Sequence, residues 1–457
     1  MRPRLIAALM TLAAAAPAGE AAIAAALAAL AGPRPDLAAQ ALGASGDRRA
    51  VAALVPLLAS PDGELRATAA WALGRCGDGA AVAALTPIAV DAYAPARAAA
   101  VDALARLKAP GGDAALVAAL TSDDESTRLA AVDALGALER ADLLPHLAAR
   151  LAVHVEHRAN PRAADAGQPA TLATPVWREP SPRVRVAVVR ALAALNVVDA
   201  LPALIGALEF ENSFNRAAIV RAIDGMGQAA AAACLGRITP IRYDQDAIAT
   251  RWPLLIANGT LAVIAGRLGD ERAVPHLMDT LSLPHDQLGA DVDLTELYLE
   301  TVQLLGRFQV QRAGRPLCRL LRVGEAKVEE LTAATAAAIR AIGRPAARPL
   351  ALALYDPKAP SLDQFGMAPV FLRLLREPEL RTWHARAGIL AYLAVDSPEV
   401  RYEAVETLGL YLSEGVLDAA ELPALIGMER DPDADVRRAC ARWRGLVAAK
   451  LATGAAP

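Results

Sequence analysis

Residues 60–78 read SPDGELRATAAWALGRCGD, and the leucine within this stretch, Leu73, recurs with a fixed period. Apolar residues at the equivalent position lie 31 residues apart at Leu42, Leu73, Leu104 and Leu135, and again at Leu192 and Ile223. A period of this length is typical of stacked supersecondary units, each of which buries an apolar face against its neighbours. The sequence therefore predicts a repeat architecture rather than one globular core.

Each repeat has the pattern of two helices. Leu65, Leu73 and Cys76 fall on one face of a first helix, and Gly77 and Asp78 then supply a helix end and a cap for the second helix. Several repeats begin with a serine hydroxyl before a proline suited to the first helical turn: Ser60-Pro61, Ser181-Pro182 and Ser397-Pro398. The predicted fold is all-α, a right-handed α-solenoid of helical hairpins.

The composition narrows the class of partner. The chain has 457 residues, and its 47 basic residues nearly balance its 50 acidic ones, which gives a net charge of −3. This balance provides no overall attraction for nucleic acid or for an anionic membrane. No segment offers 18 consecutive apolar residues, so we expect no stable membrane span. A protein or peptide partner is favoured over nucleic acid, and the oligomeric state is left open.

The first 18 residues have the order of a secretory signal peptide. Arg2 and Arg4 precede an apolar run at residues 5–16, and small residues follow around Ala18. The alternative is that residues 5–16 form the first helix of the solenoid. The signal-peptide interpretation predicts a periplasmic or secreted protein that is cleaved near Ala18, whereas the alternative predicts a cytoplasmic one.

The repeat register divides the chain into segments. They are a signal peptide (1–18), N-terminal repeats (19–151), an inserted loop (152–180), central repeats with irregular insertions (181–350), an irregular insertion (351–383), C-terminal repeats (384–451) and a tail (452–457). The inserted loop is polar, contains prolines and is too long for an ordinary helix–helix turn. Long loops on rigid scaffolds often carry function, so this segment is a candidate binding element.

An arginine recurs early in the first helix of many repeats. The set is Arg66, Arg97, Arg128, Arg185, Arg216, Arg401 and Arg437. A residue required by every repeat normally serves the stack, and a planar guanidinium can bridge carboxylates and carbonyls of adjacent repeats. We therefore expect a structural ladder of arginines. The alternative is a stripe that binds anions.

The position five residues after each ladder arginine identifies candidate partner-binding residues. It is charged in most repeats, for example at Arg190 and Arg221, which indicates a solvated face. Trp71 is the exception, and it either packs beneath the N-terminal segment or is an exposed anchor for a partner. Trp177, in the inserted loop, is a second aromatic candidate.

Residues capable of chemistry are sparse. The four cysteines show no CxxC spacing, and Cys76 and Cys440 occupy positions that other repeats fill with core residues. His154 and His157 would share a helix face, but two histidines without further ligands are a weak metal signal. No phosphate loop or nucleophile elbow is present. We expect no catalytic residue, no metal and no cofactor.

Four stretches of the chain resemble a known family of repeats. They are SPDGELRATAAWALGRCGD at 60–78, SPRVRVAVVRALAAL at 181–195, GRLGDERAVPHL at 266–277 and SPEVRYEAVETLG at 397–409. They look like HEAT-like repeats of the short type found in phycobilisome bilin lyases, and the resemblance covers most of residues 32–448. Because such repeats serve mainly as protein-binding scaffolds, the resemblance implies a noncatalytic scaffold. The alternative that it implies is a cytosolic bilin lyase-like enzyme, or a chaperone of a chromophore protein.

We predict that the native protein, recovered from separated cell fractions, begins near Gly19 and is found in an envelope or secreted fraction. The physical reason is the charged, apolar and small-residue order of residues 1–18, which a signal peptidase reads. The measurement is the N-terminal mass of the protein in each fraction. A cytosolic chain that starts at Met1 or Arg2 would contradict export.

Overall fold

A computed structural model describes residues 19–108, 111–159, 171–239, 245–283, 288, 291–323, 329–355, 362 and 366–452. The predicted signal peptide and all but the first residue of the predicted tail lie outside these residues. The chain divides into two compact halves, an N-terminal half (1–230) and a C-terminal half (231–457). Nearly all of the described elements are helices, as an all-α solenoid requires.

The α-helices of the N-terminal half form successive hairpins. They are α1 (Glu20–Ala29), α2 (Pro35–Ser45), α3 (Val51–Leu54), α4 (Gly63–Cys76), α5 (Val82–Leu85), α6 (Ala94–Leu107), α7 (Asp113–Ala119), α8 (Glu125–Ala137), α9 (Leu144–Ala148), α10 (Pro182–Leu195), α11 (Leu201–Leu208) and α12 (Ser213–Asp224). Strands β1 (Val153–Ala159) and β2 (Thr171–Trp177) interrupt them. The next helix, α13 (Gln228–Arg237), crosses into the C-terminal half.

The C-terminal half continues the same alternation of longer first helices and shorter second helices. Its α-helices are α14 (Gln245–Arg267), α15 (Val274–Thr280), α16 (Val292–Arg307), α17 (Gly314–Val323), α18 (Glu329–Ile342), α19 (Arg344–Leu354), α20 (Ala368–Leu375), α21 (Arg386–Tyr392), α22 (Pro398–Ser413), α23 (Leu422–Gly427) and α24 (Ala434–Ala452). One of these, α20, lies within residues 351–383, where the sequence indicated irregular structure.

Local capping chemistry sets the helix ends. Gly77 ends α4 in the left-handed conformation, with φ of 70°, and the Asp78 side chain accepts a hydrogen bond from the N–H of Ala80 at the start of the next element. Ser181 and Ser397 cap α10 and α22 as the sequence predicts. The prediction for Ser60 is wrong.

The cap of α4 is Asp62, two residues after Ser60. Its carboxylate accepts from the N–H of Glu64 at 3.0 Å, and the Ser60 hydroxyl accepts from the N–H of Asp62 itself at 3.1 Å. An ionised aspartate is a stronger acceptor for the free backbone amides than a hydroxyl group, so the helix begins later.

Second helices of the first repeats are short because they contain proline. The segments 51–59 and 82–90 each consist of a four-residue α-helix followed by a 3-10 turn that contains Pro56 or Pro87. Proline cannot donate the backbone hydrogen bond that would continue the α-helix.

First helices of neighbouring repeats approach closely through glycine and alanine. A Cβ atom placed on Gly74 of α4 would lie 2.6 Å from the Cα atom of Ala103 in α6, and one on Gly43 would lie 2.7 Å from the Cα atom of Ala72. Gly306 and Ala338 make the same kind of contact in the C-terminal half. The alanine-rich composition thus permits tight helix–helix packing.

The recurring arginines join each repeat to the next. The Nη1 group of Arg66 donates to the backbone oxygens of Ser60 and Pro61, and its Nε and Nη2 groups donate to the Asp91 carboxylate, both at 2.7 Å. The backbone oxygen of Asp91 accepts from Nη1 of Arg97 at 2.6 Å. One acidic residue therefore binds the arginine of the preceding repeat and anchors the arginine of its own.

The same arrangement recurs in both halves of the chain. The links are Arg128–Glu179–Arg185, Arg185–Glu211–Arg216 and, in the C-terminal half, Arg401–Asp431–Arg437. Arg128, Arg185 and Arg401 are buried. These contacts confirm the predicted structural ladder, and they occupy the guanidinium groups that an anion-binding stripe would need free.

The inserted segment contains a β-hairpin and preserves the ladder. Strands β1 and β2 pair antiparallel, with Val153 opposite Trp177, and the N–H of Arg178 donates to the oxygen of Ala152 at 2.9 Å. Glu179 follows at once and is fully buried, where it binds Arg128 from 51 residues earlier. The chain leaves the repeat register at residue 152 and re-enters it at 178–179, so the hairpin adds length without breaking the stack.

The Gly74→Ala substitution is expected to destabilise the protein by about 1–3 kcal/mol, because the new methyl group overlaps the backbone of Ala103. Gly206→Ala is the matched control. It makes the same change in α11, where nothing lies within 4 Å, and should be neutral or stabilising by about 0.5–1 kcal/mol. The urea midpoints of both variants measure the difference. Equal midpoints would contradict the close-packing interpretation.

The Glu179→Gln substitution is expected to cost about 3 kcal/mol or more at pH 7, because it leaves buried guanidinium groups without their charged partner. Burial acts to raise the pKa of Glu179, but hydrogen bonds from Arg128, Arg150 and the N–H of Ser181 hold that pKa below its ordinary value. The carboxylate therefore stabilises the fold above its unfolded pKa of about 4.3, and this stabilisation is lost as pH falls through the lower folded pKa.

Unfolding measured at pH 7 and at pH 3–4 tests this prediction. The wild-type protein should lose more stability on acidification than Glu179→Gln does. Asp102→Asn serves as the control, because Asp102 forms an exposed pair with Arg106 four residues away, and its loss should cost less than about 0.5 kcal/mol. A Glu179→Gln variant as stable as this control would contradict a role for the ladder.

Candidate functional site

The four residues singled out from the sequence occupy different environments. Arg190 and Arg221 are exposed at equivalent positions of the neighbouring first helices α10 and α12. Trp71 and Trp177 are both half-buried, and each contacts a different part of the N-terminal half. The structure therefore brings the two arginines onto one face and leaves the two tryptophans in separate contacts.

Trp71 packs against the preceding repeat. Its Cζ3 atom lies 2.7 Å from the position that a Cβ atom on Gly43 would take, so the ring covers this glycine of α2. The guanidinium carbon of Arg75 lies 5.3 Å from the ring centroid on the same helix. These contacts favour the interpretation that Trp71 packs within the stack over the interpretation that it is an exposed anchor for a partner.

Trp177 covers a ladder arginine at the base of the hairpin. The guanidinium carbon of Arg185 lies 4.3 Å from its ring centroid, while the same guanidinium donates to Glu211. A cation above an aromatic face is electrostatically attracted to it. The ring therefore shields an internal ion pair from solvent.

The two histidines of the insertion lie on a strand, so the expectation of a shared helix face is wrong. In the strand register His154 is opposite Val176 and His157 is opposite Ala173. The exposed His154 side chain contacts Glu156 at 3.4 Å.

A surface that the sequence analysis did not identify lies on the C-terminal half. It consists of the exposed sides of the four second helices α15, α17, α19 and α21 with the 3-10 turns before them, and we call it the second-helix face. Helices α17 and α19 run side by side, since Gly314 packs against Ala346 and the Arg322 Nη1 group donates to the oxygen of Ala353. Residues about 32 positions apart are therefore neighbours on this face.

Several arginines on the second-helix face have no partner. Arg315 and Arg319 on α17 and Arg348 on α19 are exposed, and no hydrogen bond or ion pair joins them to any other described residue. By contrast, Arg272 pairs with Asp270, Arg344 with Glu379 and Arg386 with Glu421. Unpaired guanidinium groups keep their full capacity to bind an acidic group from outside.

Apolar side chains adjoin these arginines. Trp383 is 64% exposed and stacks on His384, with ring centroids 4.0 Å apart, while Leu352 and Tyr355 at the end of α19 are 54% and 44% exposed. The 3-10 turn that carries Trp383 packs against α19. An exposed tryptophan beside other apolar side chains is typical of binding surfaces.

An open groove of about 690 Å³ lies at the other end of the same face. It separates the turn before α15 from the turn before α17, and its lining is mostly apolar. The lining residues are Glu271, Arg272, Val274, Pro275, Phe308, Val310, Gln311 and Arg312.

The segment GRPLCRLLRV at 314–323 was the available sequence signal for this face. Its arginines at 315 and 319 are spaced by one helical turn within a second helix. The earlier second helices of the chain are nearly uncharged, and a pattern based on them does not predict the exposed arginines of α17.

Cys76 and Cys440 are buried, as predicted. Cys234 and Cys318 are buried as well, and none of the four cysteines forms a disulfide. Burial raises the pKa of Cys76 to about 11 and that of Cys318 to about 12, so these thiols stay protonated at neutral pH.

Two kinds of functional feature are absent from the described residues, a metal-binding cluster and a membrane-spanning helix. Within the described parts of the chain, no group of three or more histidine, cysteine, aspartate or glutamate side chains is arranged to hold a metal ion. None of the described helices combines the length and the apolarity needed to cross a bilayer.

Comparison with solved structures finds similar chains at low sequence identity. The complex of CpcE and CpcF of phycocyanin lyase from Nostoc sp. PCC7120 is 23% identical over 56% of this chain and 94% of that chain, with a TM-score of 0.29. A karyopherin bound to the extreme C-terminus of a protein phosphatase is 12% identical over 93% of this chain and 45% of that chain, with a TM-score of 0.48. These likenesses concern the fold alone.

Comparison with protein families identifies the repeats. No curated protein matches the sequence. The family model described as HEAT repeats matches residues 23–105 and 173–249, which include most of the N-terminal hairpins and resume at the end of the β-hairpin. The matched segments are therefore HEAT repeats, and the described helices around them form an α-solenoid of stacked hairpins.

Proposed function

We propose that this protein is a noncatalytic scaffold that binds a protein or peptide partner through the second-helix face of its C-terminal half, and that it does so after export across a membrane. The observation that carries the proposal is the combination of unpaired arginines with the exposed Trp383 on one face. Burying such side chains against a partner removes apolar surface from water and gives the free guanidinium groups hydrogen-bond acceptors.

The contrast with the ladder supports a role in binding for this face. Ladder arginines use their donors within the stack, as Arg66 does with Asp91 and Arg401 does with Asp431. Arg315, Arg319 and Arg348 have no such use among the described residues. Removing them costs no hydrogen bond with a described residue of the stack, which favours a role in contact with another molecule.

A scaffold rather than an enzyme is supported by the chemistry of the same face. Its polar groups are mainly guanidiniums, which stay protonated and serve poorly as general acids, general bases or nucleophiles. Export is supported by the charged, apolar and small-residue order of residues 1–18.

A photo-cross-linking amino acid in place of Ala387 tests the proposal in the native cell. Ala387 is exposed on α21, four residues after Trp383, so a bound partner would be within reach. We expect a discrete cross-linked species that contains a second protein. Ala217, which is exposed on α12 of the N-terminal half, is the matched control position and should give none.

Two results would contradict the proposal. The absence of any cross-linked protein at Ala387, or the same cross-linked species at both positions, would remove the second-helix face as a binding site. Transfer of a bilin pigment to an acceptor protein by the purified chain would replace the noncatalytic role with the lyase-like alternative.

A further inference from the structure

We infer that the second-helix face takes an acidic peptide segment that also carries a large apolar side chain. In this arrangement Arg315, Arg319 and Arg348 bind the carboxylates, and Leu352, Tyr355 and Trp383 receive the apolar side chain. The inference rests on the proposed function and specifies the chemistry of the partner.

The three arginines form one cluster. Arg315 and Arg319 are one turn apart on α17, and the contact between Gly314 and Ala346 places Arg348 of α19 next to them. Neighbouring helices lie about 8–10 Å apart, a distance that successive side chains of an extended peptide can span.

The repeat register shows that the stack does not require these arginines. A fully buried alanine recurs in the second segments of the repeats. Ala313 and Ala346 are two examples, and Arg315 and Arg348 each lie two residues after one of them. At this exposed position the other repeats that share the buried alanine have only alanine or proline: Ala52, Ala83, Pro202, Pro275 and Ala387. Arginine therefore appears at this position only in two adjacent helices, which marks a local property of this face.

The charges around the cluster leave it positive. The acidic Glu379 and Glu421 are already paired with Arg344 and Arg386. Further acidic groups lie at the α15 edge, where Glu271 borders the groove and Asp279 on α15 lies 4.0 Å from His276. Burial raises the pKa of Asp279, although the nearby His276 and Arg312 act to lower it.

An acidic partner segment is the best complement to such a face. Carboxylates form charge-assisted, bidentate hydrogen bonds with guanidinium groups, whereas basic segments would be repelled. The apolar side chains occupy only the α19 and α21 side of the cluster, so a segment that combines acidic residues with one large apolar residue satisfies both parts. A nucleic-acid backbone would require a longer positive track than these two helices provide.

The test uses a fluorescein-labelled peptide of glutamates with one leucine and one phenylalanine, and a matched peptide with glutamine at every glutamate. Binding to the full chain is followed by fluorescence anisotropy. We expect the acidic peptide to bind, and to bind more weakly as salt is raised. The glutamine peptide should bind at least about tenfold more weakly, because the guanidinium groups lose their charged partners.

Two triple variants locate the binding. Arg315→Gln with Arg319→Gln and Arg348→Gln should weaken binding of the acidic peptide at least about tenfold. The control variant carries Arg48→Gln, Arg183→Gln and Arg237→Gln, which removes three other exposed arginines, and should change binding less than about twofold. Trp383→Ala, tested alone, should weaken binding of the acidic peptide without changing its salt dependence.

Three outcomes would overturn the inference. They are equal binding of the two peptides, equal loss in the two triple variants, and tighter binding of a single-stranded oligonucleotide of the same charge. A cross-linked partner at Ala387 that binds equally well to the Arg315, Arg319 and Arg348 triple variant would also overturn it, while leaving the scaffold proposal intact. Failure of the scaffold proposal itself is a separate result, the absence of any protein cross-linked at Ala387.

Discussion

The ladder of arginines is the interaction on which the rest of the structure depends. In each complete link, a guanidinium directs one nitrogen to the backbone oxygens at the start of its own first helix and two nitrogens to a carboxylate of the following repeat, as Arg128 does with Ser122 and Glu179. Arg97 departs from this pattern, since its Nε group donates to the Thr127 hydroxyl. The planar fork of arginine allows both sets of bonds at once, which lysine could not provide. Because the same acidic residue anchors the next arginine, every link fixes the spacing and orientation of two repeats.

This constraint explains how the chain tolerates a long insertion. The hairpin closes where Arg178 returns to Ala152, and Glu179 then takes the position that Asp91 occupies in an earlier repeat. The glutamate side chain is one methylene group longer than that of aspartate, and it reaches the guanidinium of Arg128 from the end of a strand. The ladder also separates structural arginines from others such as Arg315 and Arg348, for which none of the described residues supplies a carboxylate.

Sequence reasoning succeeded where a feature repeats and failed where it occurs once. The helical hairpins, the arginine ladder and the core positions of Cys76 and Cys440 are each visible as positions that the repeats fill in the same way. The strands of the insertion are not visible in this way, because their pairing joins residues 153–159 to 171–177 across a segment with no internal period. The candidate site was missed for a related reason, since its arginines appear in only two adjacent second helices and depart from the pattern of the others.

The sequence by itself determined the all-α repeat fold, because the 3.6-residue periodicity of a helix and the 31-residue period of the stack are both linear patterns that burial requires. It also determined which arginines serve the stack, since those keep the period. Only the tertiary structure decided which charged side chains remain free, that Trp71 packs on Gly43, and that Trp383 lies exposed on a turn that packs against α19. These properties depend on which surfaces neighbouring helices cover, and that covering is set by side-by-side packing of residues distant along the chain.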